Sequence, residues 1–198
     1  MNIISQGTLR GCALWHDYRR GLPDYGPAGN IFPVTLGGAA TRDGASWLIL
    51  PGGAADYASV PHNAAWNTSV FSLAFWINGA SQDGRWLFAR FASWSNWSWL
   101  FFTIVSGGTC RLRWQLSNNG SGTIRYGYST QPICDGTLHH VVFTYDGATA
   151  LWYLDGAAGT WASNVGNVSP VYAGTAPLCI GGDGGVAAYA FAGSSRGL

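Results

Sequence analysis

Every acidic side chain in this 198-residue sequence is aspartate, nine in all, and every basic one is arginine, ten in all. Glutamate and lysine are absent. This excludes lysine Schiff bases, phosphate-loop lysines and any mechanism built on a catalytic glutamate. An aspartate pair could still perform glycosidic acid–base chemistry, which needs carboxyls about 5–5.5 Å apart for retention or about 6.5–9.5 Å for inversion. No predicted strand carries aspartate at i and i+2 or at i and i+4. Six aspartates (Asp43, Asp83, Asp135, Asp146, Asp155 and Asp183) instead precede glycine. Asp-Gly supplies the positive-φ positions of tight hairpin turns, so these six read as turn residues.

The pair His139-His140 is the best candidate for a catalytic base. Neighbouring strand residues point to opposite faces, so the two rings cannot converge on one site. No Gly-x-Ser-x-Gly elbow accompanies them. Gly181-Gly182-Asp183-Gly184-Gly185 is followed by neither a lysine nor a helix pattern, and reads as a turn rather than a phosphate cradle. The four cysteines, Cys12, Cys110, Cys134 and Cys179, form no Cys-x-x-Cys pair and read as buried thiols. No cofactor is expected. The one metal left open is Ca²⁺, which takes six to eight oxygens; Asp56, Asp83 and Asp183 are its candidate ligands by their loop positions. Solvated turn aspartates are the plainer reading.

The sharpest binding signal is aromatic. Trp94-Ser95-Asn96-Trp97-Ser98-Trp99-Leu100-Phe101 places three tryptophans within six residues, interleaved with hydroxyl and amide groups. Flat rings flanked by such groups suit stacking on sugars, although most sandwich aromatics are core. A strand starting near Trp97 would put Trp97, Trp99 and Phe101 on one face and Ser98, Leu100 and Phe102 on the other. Trp94 and Trp97, at the loop end, are the expected exposed pair, with Asn96 beside them. Trp66, between Asn63 and Asn67, is a weaker candidate. Arg111 and Arg113 share a parity and predict an arginine-lined outer face, with Arg125 on a neighbouring strand.

The elements that position these groups are strands. Short β-rich runs separated by Gly, Asn, Asp and Pro are predicted near 12–17, 46–50, 56–60, 70–78, 85–91, 98–104, 109–116, 123–128, 138–145, 149–155, 177–181 and 187–192. Strand 138–145 is apolar or aromatic on both parities, which predicts cover on both faces. No segment sustains a helical stripe. Residues 1–45 read as a loose entry segment of a single domain spanning 1–198. Only 10% of residues are charged and the net charge is +1. That gives no electrostatic footprint for nucleic acid or an anionic membrane. No run approaches the roughly 18 apolar residues of a membrane span, and no export signal is seen in the opening residues.

Several segments together resemble the concanavalin A-like, laminin-G-type jelly roll of the LamG/pentraxin superfamily. They are Leu14-Trp15 with Pro27-Ala28-Gly29-Asn30, Ala55-Asp56-Tyr57-Ala58-Ser59-Val60-Pro61, and Phe71-Ser72-Leu73-Ala74-Phe75-Trp76-Ile77. Asp135-Gly136-Thr137-Leu138-His139-His140-Val141, Leu151-Trp152-Tyr153-Leu154-Asp155-Gly156, Leu178-Cys179-Ile180-Gly181-Gly182 and Phe191-Ala192-Gly193 follow in order. The resemblance implies an all-β antiparallel sandwich and makes His139 and His140 packing residues. The chain departs from the family at Leu138, where a tryptophan is usual, and at Ala74 and Val142, where pentraxins pair cysteines. The family's last strand follows Phe-x-Gly, and this chain stops at Ser194-Ser195-Arg196-Gly197-Leu198. The closing strand is therefore expected to be absent, leaving a sheet edge for a neighbour to fill.

These features point to binding or building rather than catalysis. The first expectation is a non-catalytic structural or attachment protein of a virus particle. It would be a bacteriophage tail, fibre or head-decoration component, located in the virion. Its partners would be neighbouring copies, other virion proteins and a host surface glycan, with no nucleic acid and no membrane insertion. The alternative is a carbohydrate-binding or adhesion module of a larger secreted bacterial protein, located outside the cell.

Overall fold

A computed structural model of the chain describes residues 34–43, 48–121, 124–165, 169–182 and 189–196. They form two antiparallel sheets. One is eight-stranded, in the order β1 (Thr35–Gly37), β4 (Tyr57–Val60), β14 (Leu178–Ile180), β6 (Trp86–Ser93), β7 (Asn96–Ser106), β8 (Thr109–Ser117), β9 (Ile124–Pro132), β13 (Trp161–Val165). The other is seven-stranded, in the order β12 (Ala157–Ala158), β11 (Ala150–Leu154), β10 (Leu138–Tyr145), β5 (Phe71–Asn78), β15 (Ala192–Arg196), β3 (Leu48–Pro51), β2 (Thr41–Arg42). The fold is an all-β antiparallel sandwich, as expected. No helix among the described residues is long and apolar enough to cross a membrane.

Alternation along the strands builds the core. On β8, Cys110, Leu112, Trp114 and Leu116 are buried, while Arg111, Arg113 and Gln115 face the other way. Leu73, Phe75 and Ile77 of β5 and Val141, Phe143 and Tyr145 of β10 meet them from the second sheet. Ring pairs join the layers: Phe75 with Phe88 at 4.5 Å and Phe101 with Phe143 at 4.7 Å. Such pairs contribute about 0.5–1.5 kcal/mol each beyond area burial. Gly127 is required by this packing, since a Cβ there would sit 2.5 Å from Nε1 of the fully buried Trp114.

The turns follow the Asp-Gly pattern where they are described. Gly84, Gly136, Gly147 and Gly156 all have positive φ, and Asp155 itself lies at φ 53°. Asp146 Oδ1 accepts the amides of Ala148 and Thr149 at 2.8 and 2.6 Å, closing the β10–β11 hairpin. Asp43 precedes a glycine outside the described residues, and Asp183 is itself outside them.

Three expectations about the fold need correction. The closing strand is present: β15 pairs with β3 through Ala192–Ser195 and with β5 through Ser194–Arg196, inside the sheet. The last described strand thus lies at 192–196 rather than 187–192, and β15 occupies the slot between β3 and β5 expected to await a neighbour. Among the described residues the sheet edges are the short strands β1, β13, β2 and β12, a usual way to blunt edge pairing. Strand β10 is covered on one face only: Leu138 is exposed, and His140, Val142 and Thr144 are half-buried. Strand β13 was not predicted, because Trp161-Ala162-Ser163-Asn164-Val165 has too few apolar residues to signal one. The predicted strand 12–17 and most of the entry segment, with Cys12, lie outside the described residues. Cys110, Cys134 and Cys179 are buried thiols, as expected.

Candidate ligand-binding face

The outer face of the eight-stranded sheet carries a second hydrophobic cluster, separate from the core. Trp86, Ala89, Phe91, Trp97 and Leu100 are buried in it, with Phe102 and Tyr189 packed against them. A bulge creates this cluster. Arg90 pairs with Trp99 and Phe91 with Trp97, so Ser98 is an extra residue on β7. The insertion reverses the parity expected for this strand. Trp99 and Phe101 enter the core, while Trp97 turns outward with Leu100.

The predicted site residues therefore separate. Trp94, in the β6–β7 turn, is 54% exposed. Its indole stands edge-on against Phe91 at 5.0 Å and against Trp97 and Trp86 at 6.5 Å each. Trp97 is fully buried and cannot touch a ligand. Trp66 is buried in the main core and also drops out. Asn96 is engaged at both ends of its amide: Nδ2 donates to Thr175 Oγ1 at 3.0 Å and Oδ1 accepts from the Thr175 amide at 3.3 Å. It fastens the turn that presents Trp94.

Strand pairing extends the face sideways. Trp86, Phe102, Arg113 and Tyr128 stand directly opposite one another on β6, β7, β8 and β9. At the usual strand spacing this row is about 14 Å long. Tyr189 stacks on Trp86 at 4.5 Å with 10° between the planes. The Arg113 guanidinium carbon lies 4.8 Å from the Tyr126 ring centroid and 5.5 Å from that of Phe102. Arg125 stands opposite Leu116, on the other parity. Phe102, Tyr126, Tyr128 and Tyr189 were missed because their shared face depends on which strands pair, which no local spacing encodes.

The proposed calcium ligands serve different backbone segments. Asp56 is buried; Oδ1 accepts the Ala39 amide and Oδ2 the Gly53 amide, each at 2.7 Å. Asp83 Oδ1 accepts the Val105 amide at 2.7 Å. Among the described residues no group of three or more His, Cys or Asp side chains is placed to hold a metal ion.

At the rim of the other sheet, the structure brings together a group that the sequence left apart. His139 Nδ1 lies 2.8 Å from Asp155 Oδ2, and Nε2 lies 3.2 Å from Asp135 Oδ1 and 3.1 Å from Thr137 Oγ1. Burial opposes charging of His139, yet hydrogen bonds and charge from Asp155 and Asp135 together raise its pKa. Donation from Thr137 Oγ1 and its amide draws Asp135 down to about 2. Desolvation opposes the lowering of Asp155, but the His140 amide and the His139 ring prevail. Thr137, His139 and Asp155 have the order of a nucleophile triad. However, Thr137 Oγ1 donates to Asp135 at 2.7 Å, and the two carboxylates favour the charged imidazole, the wrong state for a base. The group ties the Asp135-Gly136 turn to the end of β11. His140 faces the opposite way and packs on Trp76 at 4.7 Å, lowered in pKa by burial.

Residues 52–195 match the family model described as the concanavalin A-like lectin/glucanases superfamily. The chain belongs to this superfamily. No curated protein matches its sequence. Among solved structures, it is similar to domain 4 of AbnA, an extracellular GH43 arabinanase from Geobacillus stearothermophilus, in complex with arabinotriose. The TM-score is 0.68 with 14% identity, over 93% of this chain and 89% of that one. The binding domain of botulinum neurotoxin serotype G gives a TM-score of 0.65 with 13% identity, over 93% of this chain and 46% of that one. The heptameric SAP-like pentraxin of Limulus polyphemus gives 0.51 with 16% identity, over 70% and 64%. At these identities the superfamily member shares a fold with its neighbours, and its ligand must be argued from its own surface.

Proposed function

We propose that this superfamily member is a non-catalytic carbohydrate-binding module whose ligand lies on the outer face of the eight-stranded sheet. The observation that carries this reading is Trp94, an exposed indole propped by Phe91, Trp97 and Trp86. A ring already immobilised by packing loses little entropy when a sugar stacks on it. The Phe102–Arg113–Tyr128 row continues the platform with flat, half-buried side chains. The arabinotriose complex of the AbnA domain supports the reading at the level of the fold. The virion reading rests on composition and on an open slot that β15 fills, and none of the three similar structures favours it.

Calorimetric titration with a panel of oligosaccharides, arabinotriose among them, tests the proposal. Saturable binding is expected, lost in Trp94→Ala at unchanged melting temperature. Binding unaffected by Trp94→Ala places the ligand elsewhere, and no binding across the panel overturns the reading.

A further inference from the structure

We infer that the ligand of this face is an acidic sugar, one carrying a carboxylate or sulfate, held by Arg111 and Arg113. This rests on the carbohydrate reading and adds the chemical class of the ligand. Arg111 and Arg113 sit at i and i+2 on β8 and leave the sheet on the same side as Leu100 and Phe102. Among the described residues, neither guanidinium has a carboxylate or any other hydrogen-bond partner. The Nε atoms of both are buried and unpaired.

Five of the described aspartates are engaged elsewhere. Asp56, Asp83 and Asp146 accept backbone amides, and Asp135 and Asp155 hold His139. In a chain with so few charges, two neighbouring cations with no anion on their face among the described residues form a local field that an anion would complete. Arg113 is also set between the rings of Tyr126 and Phe102. Both rings lie within cation–π range of the guanidinium carbon and restrain the head; a planar guanidinium can donate two parallel N–H bonds, the geometry that carboxylates and sulfates accept. The exposed Trp94 indole on the same face offers a surface to the sugar's apolar side, so charge and stacking act on different parts of one ligand.

The experiment compares a uronate oligosaccharide, its carboxyl-reduced neutral counterpart and a sulfated oligosaccharide of equal length. Each is titrated into the wild type, Arg113→Gln, Arg113→Lys, Arg111→Gln and Trp94→Ala. Unfolding curves confirm that each variant is folded; Arg111→Gln serves as the test if Arg113→Gln is not. The expected result is uronate binding at least ten-fold tighter than the neutral counterpart. That margin should collapse in the glutamine variants and shrink in Arg113→Lys, since an ammonium lacks the planar fork. Tighter binding of the sulfated chain supports the same class with sulfate as its anion. Equal affinity for the uronate and neutral chains overturns this inference and leaves the carbohydrate reading standing. No binding of any chain by the folded wild type overturns both. A single-stranded oligonucleotide that binds more tightly than the uronate also overturns it, since stacking beside cations serves bases as well.

Discussion

Arg90 is a cation buried to 1% exposure with no carboxylate on it among the described residues. It projects from β6 into the loops beside the core. Nη1 donates to the Trp66 carbonyl at 2.8 Å. Nη2 donates to Asn67 Oδ1 and the Gly174 carbonyl at 2.9 Å each, and lies 3.2 Å from His62 Nδ1. Burial lowers its pKa to about 10, so it is charged at neutral pH. Replacing Arg90 with methionine keeps most of the stem and removes every donor. Two buried carbonyls and one amide oxygen then lose their partner, and each orphaned group costs about 1–3 kcal/mol. Relief of the guanidinium's desolvation offsets part of this loss, leaving about 4 kcal/mol. For a domain of this size that is a fall in Tm of about 8–16 °C. Urea unfolding followed by tryptophan fluorescence would read the change as a lower midpoint at constant slope. Arg90→Lys should lose less, since an ammonium still reaches one or two of the acceptors. A loss below about 1 kcal/mol for Arg90→Met would refute the reasoning. It would mean that water or loop rearrangement satisfies these carbonyls as well as the guanidinium does.

Other perturbations separate core from surface. Trp97→Ala should destabilise the fold by about 3–5 kcal/mol in chemical denaturation, since it empties a buried site on the outer cluster. Trp94→Ala should cost below about 1 kcal/mol, because the ring is largely exposed. Ser194→Pro should prevent folding or cost about 3 kcal/mol or more by circular dichroism melting, because β15 is paired on both sides and proline cannot donate to the ladder. The His139 group makes stability depend on pH with a definite sign. The lowered pKa of Asp135 and Asp155 gives stabilisation that is present above about pH 3.9, the unfolded value, and is lost as pH falls through the folded values. The raised pKa of His139 gives stabilisation that is full below about pH 6.5 and is lost as pH rises through its folded value. His139→Gln should therefore cost more at pH 5.5 than at pH 8.5. The gap should be under about 1 kcal/mol because the carboxylates are 40% and 49% exposed. Equal unfolding midpoints of variant and wild type at both pH values would contradict this.

Much of the fold was legible because it is local. Short β-rich runs bounded by turn residues located β5, β8 and β10 within a residue or two; β5 and β8 bury alternate residues against the opposite sheet, whereas the β10 run is apolar or aromatic on both parities. Asp-Gly marked the turns because only the φ of that pair demands those residues, whatever the remainder of the chain does. Absent glutamate and lysine excluded whole classes of chemistry before any geometry was known. The aromatic run at 94–101 was also visible as a candidate, and Trp94 stands where a loop-end tryptophan should.

Which of those aromatics meets solvent was decided by tertiary structure. One extra residue, Ser98, in the β6–β7 ladder reverses the side-chain parity and sends Trp97 into a second buried cluster. A bulge is a property of two paired strands, so a single strand's spacing does not contain it. The row Trp86–Phe102–Arg113–Tyr128 likewise exists only because four strands lie side by side in register. Strand β15 has almost no apolar signal in Ala192-Gly193-Ser194-Ser195-Arg196. It is held in place by β3 and β5, whose backbone groups would otherwise be left unpaired. Residue types alone determined which chemistries and turns were available; register between distant strands determined which side chains share a surface.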